Sequence, residues 1–87
     1  MVPETKKDAT TRLNRIAGQV GGIQRMVDDE KYCVEILTQI AAVRAALDKV
    51  GLVILKSHLQ NCVAEAVREG RTNEAVEELN DILLKFV

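Results

Sequence analysis

Three side chains in this 87-residue sequence carry soft donors: Cys33, His58 and Cys62, which are the two cysteines and the one histidine of the chain. His58 and Cys62 stand four residues apart. On a helix that spacing puts both on one face, so the pair can chelate a single ion. Cys33 lies 25 residues before His58, roughly 37 Å away on a continuous helix. It cannot reach the same ion within one chain. Nor can it form a disulfide with Cys62, which needs Cα atoms within about 7 Å. If all three hold one ion, Cys33 comes from a neighbouring subunit. Two thiolates and an imidazole suit Cu(I) or Zn(II). Structural zinc takes four ligands, so a three-donor set favours Cu(I), with Zn(II) open if a carboxylate or water completes the set.

Charge points to a second chemistry. Residues 1–27 carry Lys6, Lys7, Arg12, Arg15 and Arg25 against Glu4 and Asp8, a net +3, whereas the remaining residues sum to −4. A basic N-terminal third can bind an anion although the whole chain is slightly acidic.

The elements that must position these groups read as helices. Tyr32 and Phe86 are the only aromatic residues among Phe, Tyr and Trp, so a core has to come from Leu, Ile, Val and Ala. Leu13, Ile16, Val20, Ile23 and Val27 form one stripe at steps of three and four, predicting a first helix over about 5–28 that starts near Thr5 or Asp8. Gly18, Gly21 and Gly22 inside it each cost roughly 1 kcal/mol against Ala, which predicts close approach of another backbone. Asp28, Asp29 and Glu30 should break this helix and supply the acidic first turn of the next. Ile36, Ile40, Val43, Leu47, Val50 and Ile54, continued by Leu59, Val63 and Val67, predict a second helix over about 31–69, stopped by Gly70. Thr72 or Asn73 should cap a third, over about 72–86, with Val76, Leu79, Leu83 and Phe86 as its apolar stripe.

The middle helix would span roughly 58 Å, whereas a compact chain of this size has a radius of gyration of about 12 Å. It overhangs its own subunit, so its apolar stripe needs a second chain, starting with a two-fold dimer. An antiparallel pairing that places Cys33 beside His58 and Cys62 of the partner puts the axis near Ala46 and Leu47. Val43 then falls opposite Val50, and Ile40 opposite Val53. The size nearly excludes an enzyme with a large enclosed pocket. No stretch reaches the ~18 apolar residues of a membrane span, residues 1–12 lack the apolar segment of a signal peptide, and two cysteines are too few for a disulfide scaffold. A reducing, cytoplasmic compartment is expected.

The sequence resembles the copper-sensing operon repressor (CsoR) family of bacterial metal-responsive regulators over about residues 10–86. The likeness rests on the run from Arg12 through Asn14, Arg15, Gly18, Gln19, Gly22 and Arg25 to Met26, on Tyr32-Cys33, on His58-Leu59-Gln60-Asn61-Cys62, and on Glu77-Glu78-Leu79. The resemblance implies an all-α, three-helix protomer with one long central helix, an antiparallel dimer and a dimer-of-dimers tetramer. It implies a single metal-sensing, DNA-binding domain over 1–87 that binds operator DNA without metal and is released by Cu(I).

Within the family, nickel and cobalt sensors use extra nitrogen ligands including an N-terminal His, and persulfide sensors lack the His; the set Cys33, His58 and Cys62 is that of the copper branch. Tyr32 and Glu78 are implied as residues that orient the ligands, since a ligating imidazole donates its other N–H to an acceptor. Arg12, Arg15 and Gln19 are the best candidates for DNA contact, Lys49 matches a basic family position, and Arg44 would come near Lys49 of the partner subunit. Gly21 departs from the family, where a charged residue is frequent. Two other readings use the same residues: a thiol-redox or persulfide-sensing repressor of this fold, and a copper buffer or chaperone that ignores DNA.

Overall fold

The computed structural model describes residues 1–86. Helix α1 runs Pro3–Asp28. It starts earlier than Thr5 because Pro3 occupies its first turn, where the missing N–H is no loss, and Glu4 complements the helix dipole there. The end is a tight corner. Lys31 N–H donates to Met26 O and Glu30 N–H to Val27 O, the paired bonds of a Schellman turn. Its left-handed position is held by Glu30, at φ 53. The acidic run thus closes α1 rather than opening the next helix, whose first-turn acid is Glu35.

Helix α2, Cys33–Ser57, continues without reversal into a π-helical segment, His58–Val63, and a last α-helical piece, α3, Ala64–Arg68. The backbone stays right-handed helical at both junctions. Together they make one rod of roughly 54 Å, matching the 55 Å longest dimension of the molecule. A second Schellman turn, Arg71 N–H to Ala66 O and Gly70 N–H to Val67 O, with Gly70 at φ 79, folds α4, Thr72–Leu84, back along the rod. Arg71 stands at its N-cap with no side-chain cap bond; Thr72 and Asn73 lie inside the helix.

The architecture is all-α: three helical arms, the middle one long. Its radius of gyration is 17.2 Å, well beyond the ~12 Å of a compact chain this size. The core is thin. Ala9 and Ile16 of α1 pack on Val43 and Val50 of α2, with Ile23, Ala46 and Ile54 at the edges; Ala66 and Ala75 are buried where α3 meets α4. Val43 and Val50, expected on a seam between chains, are therefore spent against α1. The large apolar residues left open on the rod are Leu37, Ile40, Leu47, Leu52 and Leu59, with Leu37 62% exposed, and Val34 and Val67 near its two ends. On α4 the inward stripe is Ala75, Leu79 and Ile82, and Val76 and Leu83 are exposed, a turn of the helix by about one position from the expected face. Among the described residues of the one chain, no backbone outside α1 approaches Gly18, Gly21 or Gly22. The glycine that admits a close neighbour is Gly51, against the ring of Phe86.

Candidate metal centre and nucleic-acid surface

The π-helical segment carries both His58 and Cys62. A π turn hands each carbonyl to the N–H five residues on, and such turns recur at functional sites. Asn61 secures this one: its Nδ2 donates to Ser57 O at 3.0 Å and to Ser57 Oγ at 3.4 Å. Ser57 is itself buried at the junction. In an α-helix that carbonyl would take the backbone N–H of Asn61; here the side chain of Asn61 serves it.

His58 and Cys62 line one cleft of about 350 Å³ between the rod and α4, shared with Asn61, Arg71, Glu74 and Glu78. His58 Nε2 is buried and, among the described residues, has no hydrogen-bond partner, which costs about 1–3 kcal/mol for an ordinary polar atom and fits a nitrogen reserved for a ligand. Cys62 is a free, exposed thiol. Glu78 faces the same space from α4. Arg71 donates to Glu69 Oε2 from Nε at 3.1 Å, and this bond and the carboxylate charge raise its pKa further above the ordinary arginine range; it stands at the cleft mouth as a fixed cation.

Cys33, also a free, exposed thiol, opens α2 at the far end of the rod, beside an exposed Tyr32. The unbroken helix between holds it roughly 37 Å from His58. Among the described residues, no group of three His, Cys, Asp or Glu side chains in one chain is placed to hold a metal ion. Yet 25 residues amount to nearly seven whole turns, so Cys33 and His58 point within about 20° of each other around the rod.

The cationic candidates divide between two sides. Residues 12, 15 and 19 step by three and four, so Arg12, Arg15 and Gln19 share a face of α1. A groove lined by Thr5, Asp8, Val53 and Lys56 sets α1 against α2 in a register whose paired numbers sum to about 61, which puts Arg12 level with Lys49. Arg12 Nε donates to Asp8 Oδ1 at 2.9 Å; Arg15 and Lys49 are exposed and, among the described residues, unpaired. Lys56, not singled out from sequence, extends this face. Arg44 is five residues from Lys49, about 140° around the helix. It stands with Ile40 and Leu47 on the open apolar side, so the two cations do not share a face within one chain.

Comparison with known proteins gives this geometry a context. The metal-sensitive transcriptional repressor family matches residues 5–85. The copper-sensing transcriptional repressor CsoR of Bacillus subtilis is 49% identical over 81 residues, 93% of this chain and 80% of that protein. The crystal structure of the copper-sensing repressor CsoR with Cu(I) from Geobacillus thermodenitrificans superimposes with a TM-score of 0.92 at 44% identity, covering 99% of this chain and 90% of that one. The nickel-responsive transcriptional regulator InrS superimposes with a TM-score of 0.78 at 38% identity, over 93% and 91%. With a family match along nearly its whole length and the fold of a solved repressor, the chain belongs to the metal-sensitive transcriptional repressors.

Proposed function

We propose that the chain is a copper(I)-responsive repressor that holds operator DNA when metal-free and releases it when Cu(I) is bound at a site shared by two subunits. One observation carries this reading: the soft donors sit on one face of a single rod but at its two ends. An antiparallel pair of rods with its axis near Ala46 and Leu47 brings Cys33 of the partner subunit to the cleft of His58 and Cys62. The open strip of Leu37, Ile40 and Leu47 lies between those ends on the same side and gives the pairing an apolar seam. Further pairing of dimers into a tetramer fits the apolar residues that remain open on the outside of α4.

The donor chemistry fits the ion. Cys33 of the partner subunit, His58 and Cys62 form a soft set with no fourth sulfur or imidazole donor, which suits Cu(I); the carboxylates of Glu65, Glu74 and Glu78 border the same cleft and keep Zn(II) as an arm of the test, and His58 Nε2 is already desolvated and, among the described residues, unpaired. Bound there, Cu(I) supplies a soft centre that links two chains. The chain's own residues do the rest. Asn61 and Ser57 hold the π turn that presents both local donors. Glu78, which borders the same cleft, would accept the other ring N–H of His58 and so tie α4 to the imidazole. Tyr32, next to Cys33, orients that thiol's end of the partner rod. Arg12, Arg15, Gln19 and Lys49 contact phosphates across a broad helical face; Arg44, which stands beside the paired strip and about 140° around the rod from Lys49, adds to that face only from the rim of the seam. By linkage, DNA weakens Cu(I) binding by the factor by which Cu(I) weakens DNA binding. No helix among the described residues is long and apolar enough to cross a membrane.

A mobility-shift series on a promoter fragment tests this, with no metal, Cu(I), Zn(II) and oxidant as its arms. Binding without metal and release by Cu(I), lost in His58→Ala, is expected. Absence of binding in every arm overturns the repressor reading. Release by oxidant with full function in His58→Ala would favour the thiol sensor, for which the exposure of both cysteines speaks.

A further inference from the structure

Gly51 lies in the interior of α2, where glycine costs about 1 kcal/mol relative to alanine. Something must need the missing side chain. A Cβ at this position would stand 2.7 Å from Phe86 Cε1 and 2.9 Å from Cζ, so the ring of Phe86 rests where any other residue would project. Phe86 is tied to the end of α4 through its N–H bond to Leu83 O. The ring and Gly51 line an apolar, half-open cavity of about 280 Å³ together with Ile54, Leu55, Ile82 and His58; the outer side of Phe86 stays in solvent, the residue being 56% exposed. His58 thus forms the wall between this cavity and the cleft it shares with Cys62 and Glu78. Gly51 is seven residues before His58, two helical turns, and points to the same side.

Helix α4 packs on the rod near its start, where Ala66 and Ala75 are buried, along the half-buried Leu79 and Ile82, and at its end, where Phe86 is seated on Gly51. Glu78 stands between the two ends and lines the cleft of His58. Losing the end seat would free the last turns of α4 to shift, and Glu78 with them. We infer that Gly51 and Phe86 are positioning residues for the metal response: the ring seated on Gly51 fixes α4 against His58, so that the state of the imidazole reaches the rest of the molecule. This inference rests on the repressor reading above and assigns the pair no contact with metal or DNA.

The test uses the full chain and four variants: Phe86→Ala, Gly51→Ala, the double variant, and Phe86→Tyr, which keeps the ring. Operator-fragment affinity is measured with and without Cu(I), Cu(I) affinity by competition with a chromogenic chelator, and folding by far-UV circular dichroism. Phe86→Ala is expected to bind DNA without metal within threefold of wild type and still to bind Cu(I). Its ratio of metal-free to metal-loaded DNA affinity should fall at least tenfold. Gly51→Ala should lose the same ratio when Phe86 is present and add little in the double variant, because the clash partner is then gone. Phe86→Tyr should retain the wild-type ratio. An unchanged ratio in folded Phe86→Ala, or additive losses in the double variant, overturns the inference alone. A wild-type chain that Cu(I) does not release overturns the repressor reading, and the inference with it.

Discussion

His58 is the residue on which most of the chemistry converges. It belongs to the π turn, borders the cleft of Cys62 and Glu78, and backs the cavity under Phe86, while its Nε2 has no partner among the described residues. If Glu78 orients the ring, Glu78→Gln should weaken Cu(I) binding or Cu(I)-driven release by about tenfold, the usual effect of losing a ligand's supporting acceptor. His58→Ala should lose more, and both should keep metal-free DNA binding; chelator competition beside mobility shift separates the two effects. Arg15, on a different face, is proposed for DNA contact. Arg15→Ala should weaken binding uniformly across DNA sequences and lower the slope of log affinity against log salt by about 1, measured by titration at several salt concentrations. The candidate donors were legible in the sequence because Cys and His are rare here and their spacing is informative. Asn61 was not: an asparagine beside a candidate donor says nothing until the π turn shows which carbonyl it serves. Gly51 was hidden too, because the three glycines of α1 are more conspicuous, and only the fold reveals which glycine meets a ring.

At the scale of elements, apolar periodicity was enough to read three helices with a long middle one, since steps of three and four persist through α1, the rod and α4. Corner chemistry was harder. Asp28, Asp29 and Glu30 satisfy the rules for a helix start as well as for a helix end, and the choice falls to backbone hydrogen bonding that composition does not encode. The outcome leaves Glu30 at φ 53, where a side chain costs roughly 1–2 kcal/mol that glycine avoids. Glu30→Gly should therefore raise stability by about 1 kcal/mol despite glycine's greater freedom when unfolded. Gly70→Ala, at φ 79, should lower it by a similar amount. Thermal unfolding followed by circular dichroism reads both, and equal midpoints for wild type and Gly70→Ala would show that these corners are not under strain. The face of α4 was misjudged by about one position because Ala75, small and unremarkable in sequence, is the residue that packs on Ala66, while the larger Val76 and Leu83 stay outside.

For the whole molecule, length against size was the informative quantity. A rod of about 36 residues on an 87-residue chain extends past any core the chain can build, and the elongated shape and open apolar strip follow from that. The same length separates the thiol of Cys33 from the imidazole of His58. The assignment of seam residues needed the fold, because Val43, Val50, Ile40 and Leu47 all belong to the same sequence stripe, and α1 takes the first pair while leaving the second. The central claim is that the donors meet only between two subunits, and complementation between defective chains tests it most directly. Cys33→Ala and the double variant His58→Ala/Cys62→Ala are each expected to lose tight Cu(I) binding. Unfolded together in equal amounts and refolded, half of the dimers are mixed, and each mixed dimer regains one intact site. Chelator competition should then recover about a quarter of the wild-type tight Cu(I) capacity. Tight binding by either variant alone, or no recovery in a mixture shown to contain mixed dimers, would contradict a site shared between chains.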